Sequence, residues 1–283
     1  MSMITAPAGS TLETLEAARA VLDGRRFAVL TGAGVSTDSG IPDYRGKGRN
    51  HRTPMTFGQF VADPAYRQRY WLGGHLGGAV FEQVQPNPGH TAIAAFEQHG
   101  LMTGLVTQNV DGLHRRAGSQ NVVELHGALD QVVCLSCGHR FHRDRINQQI
   151  RARNPWINDS TSLEFRPDGD AAPFPTDIDR FVVPDCLVCG GLLKPDMVFF
   201  GEFVPVERFD RARRIVDTAE ALLIAGSSLA VNSGVRLLEV ARRRRMPVVV
   251  VNLGPSKADS RATVRIESGT SEALSWLAER LTA

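Results

Sequence analysis

An α/β fold, a doubly wound parallel sheet with a small module inserted into it, is what this 283-residue sequence predicts. Three observations carry the prediction. Short apolar runs recur along the chain, separated by stretches of helical periodicity, as βαβ units require. Polar or glycine-rich clusters fall at the ends of those runs, at 31–45, 108–111, 226–228 and 252–254. Two Cys-x-x-Cys pairs, Cys134/Cys137 and Cys186/Cys189, bracket the segment that interrupts the alternation.

The elements follow in order. Ser10-Thr-Leu-Glu13 fits a capping box, and Leu12, Leu15, Ala18, Val21 and Leu22 continue at helical spacing. The first buried strand is Phe27-Ala-Val-Leu30, which runs into Gly32-x-Gly34. Residues 47–78 are polar and glycine-containing, with helical pieces near 57–61 and 65–71. Pro86-Asn-Pro-Gly-His90 marks a turn, followed by a helix over 89–98. Strands follow at 104–107 and at 122–125, the latter ending at His126-Gly127. After the interruption the alternation resumes: helix 206–220, strand 221–225, helix 234–244, strand 248–251, a short strand at 263–266 and a C-terminal helix. The expected division is a body made of 1–130 and 194–283, with a helical insert near 47–85, and a module at 131–193. The middle of that module, 154–184, is rich in Pro, Asp, Ser and Gly and reads as a long irregular loop.

Composition narrows the function. Lys and Arg number 32 against 30 Asp and Glu, so the net charge of +2 implies no nucleic-acid partner. The run of arginines from Arg242 to Arg245 sits at a helix C-terminus, where the dipole favours cations, and is expected to be a solvated helix end. The longest apolar run, 246–251, is too short to cross a membrane. Residues 1–9 lack a signal core or an amphipathic presequence, so a cytoplasmic protein is expected, and a monomer. All four cysteines lie in the two pairs, which in a cytosolic chain favours metal over disulfide. Four thiolates leave no open position for water, so a zinc ion held by them is structural.

A strand that ends in Gly32-x-Gly34 and turns into a helix brings backbone N–H groups against a dinucleotide pyrophosphate. The usual third glycine is missing. A polar segment containing Ser36, Ser39, Asp43 and Arg45 takes its place, which suggests NAD as a consumed substrate rather than a retained cofactor. Ligands of open α/β sheets bind outside the carboxyl ends of the strands, so the four clusters are expected to meet in one crevice. Asn109 and Asp111 lie two apart and suit recognition of a carboxamide and placement of a water, with turn capping as the alternative. His126 and His114 are both candidates for a general base, and spacing does not choose between them. The other histidines, at 51, 75, 90, 99, 139 and 142, show no signal above surface or loop.

Taken together, these residues resemble the sirtuin family over nearly the whole chain: Gly-Ala-Gly-Val-Ser from Gly32, Gly-Ile-Pro-Asp-Tyr-Arg from Gly40, Thr-Gln-Asn-Val-Asp from Thr107, His126-Gly127, both cysteine pairs, Gly-Ser-Ser from Gly226 and Val251-Asn252. Gln68-Arg-Tyr-Trp71, Gln85-Pro-Asn-Pro88, Pro167-Asp-Gly-Asp170 and the run from Leu193 to Gly201 look like the class II branch, typified by the mitochondrial lipoamidase sirtuin. The missing presequence points to a bacterial member. The resemblance implies a Rossmann-like NAD-binding body, one structural zinc, and an NAD-dependent protein-lysine deacylase. Ala33, Asp43, Tyr44 and Arg45 would lie around the nicotinamide-side ribose and pyrophosphate, Asp111 would hold the carboxamide, and Gly32, Gly34, Ser36 and Gln108 would also bind NAD. Asn109 would order a ribose hydroxyl or water. Gly226, Ser227 and Ser228 would hold the phosphate and adenine ribose, Asn252, Leu253 and Gly254 the adenosine, and Thr270 would close over adenine. The acyl oxygen of a modified lysine would attack the ribose C1′ as nicotinamide leaves. His126 would then act as general base on the ribose hydroxyl, giving O-acyl-ADP-ribose and free lysine. An acyl-lysine peptide would add as a strand between edges at Val198, Phe199, Phe200 and Gly201 and after Ser228.

One departure bears on specificity. Sirtuins that remove succinyl or malonyl carry a Tyr-x-x-Arg pair, whereas this chain reads Tyr70-Trp-Leu-Gly-Gly-His75, which argues against acidic acyl groups of that type. Three other functions compete with deacylation. They are mono-ADP-ribosyl transfer to protein, a non-catalytic NAD or ADP-ribose sensor, and an ordinary dehydrogenase, the last disfavoured by the missing third glycine.

Overall fold

The apolar run at Phe27 becomes a strand buried along its whole length, β1 (Phe27–Thr31), and the other layers pack around it. The computed structural model describes residues 11–43, 54–157, 164–165, 171–172 and 178–283. Helix α1 (Leu12–Leu22) precedes β1, and α2 (Phe57–Ala62), α3 (Pro64–Gln83) and α4 (Pro88–Gln98) follow it. Next come β2 (Met102–Thr107), the single turn α5 (Leu113–Arg116), β3 (Val122–Glu124), β4 (Gly127–Cys134), β5 (Arg140–His142) and α6 (Arg143–Arg153). Two-residue strands β6 (Glu164–Phe165) and β7 (Ala171–Ala172) pair before β8 (Leu193–Met197). The chain closes with α7 (Val206–Asp217), β9 (Ala221–Ala225), α8 (Asn232–Arg243), β10 (Val248–Val251), β11 (Val264–Ile266) and α9 (Thr270–Leu281).

The large sheet runs β11-β10-β9-β1-β2-β3, every pair parallel. This is the doubly wound order, in which the chain reverses direction across the sheet between β1 and β9. Alternate residues serve opposite faces. Phe27, Val29, Leu105, Leu223 and Val249 pack under α1, α4 and α9, while Ala28, Leu30, Val106, Leu222 and Val250 pack under α7 and α8. Because both faces are covered, the strands read as unbroken apolar runs, which is why they were visible in the sequence. A second, antiparallel sheet, β5-β4-β8, packs with α3 and α6 around Trp71, Val132, Ile146 and Leu193.

Several local expectations need correction. Helix α1 begins at Leu12 with Thr11 as its N-cap, whose Oγ1 accepts from the Thr14 N–H at 3.2 Å, and Ser10, where the capping box is expected, lies outside the described residues. Leu15, Ala18 and Leu22 form its buried face, as their spacing predicts. Helix α3 runs to Gln83 through Gly73, Gly74, Gly77 and Gly78, where propensity argues against helix. Tertiary packing overrides it: Asp63 caps the start, and Tyr70, Trp71, Leu72 and Leu76 are buried. The absent side chain at Gly74 also has a use. A Cβ there would stand 2.6 Å from Nη2 of Arg143, whose guanidinium lies 4.8 Å over the Trp71 ring.

Of the 154–184 stretch, residues 158–163, 166–170 and 173–177 lie outside the described residues, and its two ends are tied together. Asn154 caps α6 through Ile150 O and holds the returning chain at Val182, donating to its carbonyl at 3.0 Å and accepting from its N–H at 2.7 Å. Arg242 to Arg245 are all exposed, as a solvated helix end requires. Arg244 turns back onto the carbonyls of Val216, Asp217 and Ala219, sealing the end of α7. Among the described residues no helix is long and apolar enough to cross a membrane.

The two sheets are joined at Gly127, which follows His126 at a φ of 86°. A Cβ at that position would fall 1.8 Å from the carbonyl oxygen of Asp196. Gly127→Ala is therefore expected to cost about 3 kcal/mol or more from the left-handed backbone and the clash combined. A urea midpoint unchanged from the parent would contradict this.

Candidate active site and metal centre

Three glycines interlock at the switch point between β1 and β9. Gly34 donates its N–H to the Gly226 carbonyl at 2.8 Å, and Gly32 donates to Ala225 O at 3.2 Å. A Cβ on Gly32 would lie 2.8 Å from Ser227 Cβ, and one on Gly34 2.9 Å from Gly226 Cα. One on Gly226, at a φ of 60°, would lie 2.3 Å from Val35 N. Side chains are excluded here because two turns touch backbone to backbone, so the clusters at 32–36 and 226–228 form one surface. Ala33 opens the 3₁₀ turn between them.

Ser36 is the hub of the polar cluster. Its Oγ donates to Asp111 Oδ2 at 2.7 Å and accepts from Asn109 Nδ2 at 3.1 Å. Asn109 and Asp111 thus converge on one hydroxyl, as their spacing predicts. Asp111 Oδ1 accepts from the Leu113 N–H at 2.9 Å. Burial nonetheless pushes the Asp111 carboxyl up from its ordinary value, against those two hydrogen bonds and the charge of Arg116.

His126 stands between the two sheets. Its Nδ1 lies 3.0 Å from the carbonyl oxygen of Gln108, which can only accept, so Nδ1 carries the proton and Nε2 presents its lone pair. That lone pair meets Ser233 Oγ at 2.8 Å. Burial holds His126 down at about 4, with the Arg208 charge adding to it and the Gln108 carbonyl opposing. At neutral pH the ring is therefore an uncharged base. The rival His114 is fully enclosed, with Nε2 at 2.9 Å from Thr31 Oγ1 and its ring 4.7 Å from that of His90. Among the described residues its Nδ1 has no partner, and burial holds it well below the usual range. Of the two rings, His126 is partly exposed and His114 is enclosed.

His90, Asn87 and Ser233 carried no functional signal in the sequence, yet all three touch this cluster. His90 lies buried with Nε2 at 3.4 Å from Ser36 Oγ. Asn87 ties the same region together, donating to Val35 O at 2.7 Å and to Ser39 Oγ at 3.0 Å. The only available hint for these two was Asn87 opening a Pro-Gly-His helix start, where its Oδ1 now accepts from Gly89 and His90 N–H.

Burial holds His90, like His126, down at about 4 from 6.5. The unfolded chain therefore takes up protons between about pH 6.5 and 4 that the folded protein refuses. Stability is expected to fall as pH drops through that window, by up to about 1.4 kcal/mol per pH unit for each histidine, with His114 acting in the same direction. Urea midpoints at several pH values from 7.5 to 4.5 read this directly. A flat profile would contradict it.

The remaining predicted residues fall as follows. Gln108 accepts from Ser227 Oγ through Oε1 at 2.6 Å. Ser228 O accepts from Lys257 N, and Ser256 Oγ donates to Ser227 O at 2.8 Å, which binds the β10 loop to the β9 turn. Asn252 is buried and holds Gly254 O at 2.8 Å, while Leu253 is exposed. Thr270, at the start of α9, donates to Gly34 O at 3.3 Å. Asp43 is partly exposed at the end of a described segment, and Tyr44 and Arg45 lie outside the described residues. The clusters at 32–36, 108–111, 226–228 and 252–254 thus share one rim, with His126 beside it.

The 198–201 segment is fastened to the same region. Val198 donates to His126 O at 2.8 Å, and Phe200 O accepts from Phe57 N at 3.0 Å. Phe199 is buried, its N–H on Glu202 Oε2 and its carbonyl on Glu202 N, while Phe200 exposes its ring. Lys194 locks the turn, with Nζ 2.8 Å from both Glu202 oxygens and 2.6 Å from Met197 O. Gly201 turns at a φ of 79°.

The four cysteine sulfurs lie within 4.8 Å of one another. Cys134 and Cys189 approach to 3.6 Å, Cys137 and Cys186 to 3.8 Å. A tetrahedron with Zn–S bonds of about 2.3 Å has edges of about 3.8 Å, so the set fits zinc. Ser136 and Val188 each aim an N–H at a sulfur, and Gly138 and Gly190 supply the left-handed turns behind each pair.

Sheet order and the fused turns at its switch point define a doubly wound α/β protein of the class that binds ligands outside its strand ends. Residues 32–233 match the Sir2 family, and the chain belongs to that family. It is similar to NAD-dependent protein deacetylase 1 of Mycobacterium avium (strain 104), with 48% identity over 266 residues, 93% of this chain and 94% of the relative. It is also similar to the mitochondrial NAD-dependent protein lipoamidase sirtuin-4 of Bos taurus, with 42% identity over 265 residues, 92% of this chain and 84% of the relative. A solved Sir2 homolog–NAD complex superposes with a TM-score of 0.73 at 29% identity, covering 96% of this chain and 95% of that one. A Sir2–p53 peptide–NAD+ structure gives a TM-score of 0.69 at 29% identity, covering 95% and 97%.

Proposed function

We propose that this protein is an NAD-dependent protein-lysine deacylase that releases nicotinamide and forms O-acyl-ADP-ribose. The observation that carries the reading is a neutral, tautomer-fixed His126 beside a rim where the 32–36, 108–111 and 226–228 clusters touch. NAD is consumed as a substrate and supplies the electrophilic ribose carbon. Gly226, Ser227 and Ser228, with Gly32 and Gly34 against them, seat its phosphates and adenine ribose, and Asn252, Leu253, Gly254 and Thr270 border the adenosine. Ala33 and Asp43 serve the nicotinamide-side ribose and pyrophosphate, and Tyr44 and Arg45, which lie outside the described residues, are assigned the same role by the family resemblance. Asp111, already fixed by Ser36, receives the carboxamide, and Asn109 orders a ribose hydroxyl or water. His126 removes the ribose proton. One zinc ion on Cys134, Cys137, Cys186 and Cys189 closes the 131–193 module by tying its two ends together, beside the body formed by 1–130 and 194–283. Zinc takes no part in the chemistry, because four sulfurs complete its coordination.

The acyl-lysine segment adds as a strand against 198–201 and the chain after Ser228, where Phe200 and Val231 are exposed. The enzyme acts as a cytoplasmic monomer on protein substrates. Nicotinamide release from NAD against a panel of acyl-lysine peptides tests the reading. Release is expected to require a peptide and to favour uncharged acyl groups over succinyl or malonyl. Release without peptide, with the label carried onto protein, would replace deacylation by ADP-ribosyl transfer.

A further inference from the structure

The base His126 has two polar atoms, and both are occupied. Nδ1 holds the Gln108 carbonyl at 3.0 Å, and Nε2 faces Ser233 Oγ at 2.8 Å. An imidazole nitrogen offers one in-plane lone pair, so Ser233 stands on the position from which Nε2 accepts a proton. Any substrate hydroxyl must either displace Ser233 or act through it.

Three observations favour the second course. Ser233 is buried, with 8% of its surface exposed, and its hydrogen bond to His126 is the one recorded for its hydroxyl among the described residues. Displacement would strand that hydroxyl inside the protein, whereas acting through it keeps every partner paired. The hydroxyl is also not consumed by the helix it sits on: the N-cap of α8 is Val231, with no side-chain cap. Finally, the surroundings are rigid. A Cβ on Gly234 would lie 2.9 Å from Gln108 Nε2, and Gln108 Oε1 is held by Ser227 Oγ at 2.6 Å, so Gln108 fixes both the base and the start of α8.

We propose that Ser233 is a catalytic residue of the acyl-capture step, relaying the proton of the ribose hydroxyl to His126. The proposal rests on the deacylase reading above. As the ribose oxygen bonds to the acyl-derived carbon and the C=N π pair of the imidate moves onto the lysine nitrogen, the hydroxyl proton passes to Ser233 Oγ, and the proton already on Oγ passes to Nε2. Serine ends as a neutral hydroxyl, now accepting from the Nε2–H of an imidazolium, and the charge rests on His126. Nicotinamide has left in the preceding step and needs neither residue.

Separating those two steps is the test. Exchange of labelled nicotinamide into NAD reads the first, and O-acyl-ADP-ribose formation reads the second. In Ser233→Ala, product formation is expected to fall about tenfold or more, with exchange held to within about twofold of the parent. Ser233→Thr, which keeps the hydroxyl, is expected to recover most of the product rate. Product formation in the alanine variant equal to or faster than the parent would overturn the relay. So would an equal fall in exchange and product, which marks a binding role. A ¹⁵N spectrum of the imidazole reads the contact without any substrate: the His126 Nε2 resonance is expected to move in Ser233→Ala, and an unmoved resonance overturns the proposal. A parent with no peptide-dependent turnover would contradict the deacylase reading alone, leaving the resonance to decide the contact.

Discussion

Replacing His126 with alanine is expected to lower O-acyl-ADP-ribose formation about 10²- to 10⁴-fold, the range that a positioned general base supplies. The size follows from the environment of the ring. His126 is held neutral by burial, its tautomer is set by Gln108 O, and its reactive nitrogen faces the crevice side, toward Ser233. The two other histidines of this cluster, His114 and His90, are not placed to take over, because they are enclosed and engaged with Thr31, Asn87 and Ser36. NAD affinity is expected to change little, since the phosphate and adenosine residues lie on other strand ends. Single-turnover product formation beside NAD titration checks both halves. A variant that keeps its product rate would remove His126 from the chemistry.

Removing the metal, or one of its ligands as in Cys186→Ala, is expected to unfold the small sheet and abolish turnover. Structural zinc sites in small peptides contribute about 10–16 kcal/mol of apparent folding free energy. Here Cys134 and Cys186 are themselves part of the core that holds Val132, Ile146 and Leu193. Damage there reaches the site through a short path. β8 pairs with β4, and the residue after β8, Val198, is bonded to His126 O. A chelator should therefore lower the melting temperature and activity together, and zinc should restore both. Full activity after chelation, with the metal shown to be gone, would contradict a structural zinc.

Much of the fold was legible because parallel strands covered on both faces must be apolar throughout, as at 27–30, 221–225 and 248–251. Their polar ends marked the crevice for the same reason. Helix α3 runs past its expected end: its four glycines lower propensity, while the packing of Trp71 with Arg143, which Gly74 leaves room for, exists only in three dimensions. Helix α6 was missed inside a segment dominated by its cysteines, although Ile146 and Ile150 stand one turn apart. The candidate site divides along the same line. Ser36, Asn109 and Asp111 could be picked from local spacing. The choice of His126 over His114 could not, because it depends on which ring is enclosed and which faces the crevice. His90 and Ser233 depend on contacts 54 and 107 residues away, which no local pattern encodes.

The most direct measurement follows the acyl group. A peptide whose lysine carries an isotopically labelled acetyl would be turned over with NAD and the products weighed. The account predicts one nicotinamide and one free lysine per turnover, with the label on O-acetyl-ADP-ribose. Label recovered as free acetate with NAD intact, or ADP-ribose on protein with the lysine still acetylated, would contradict it.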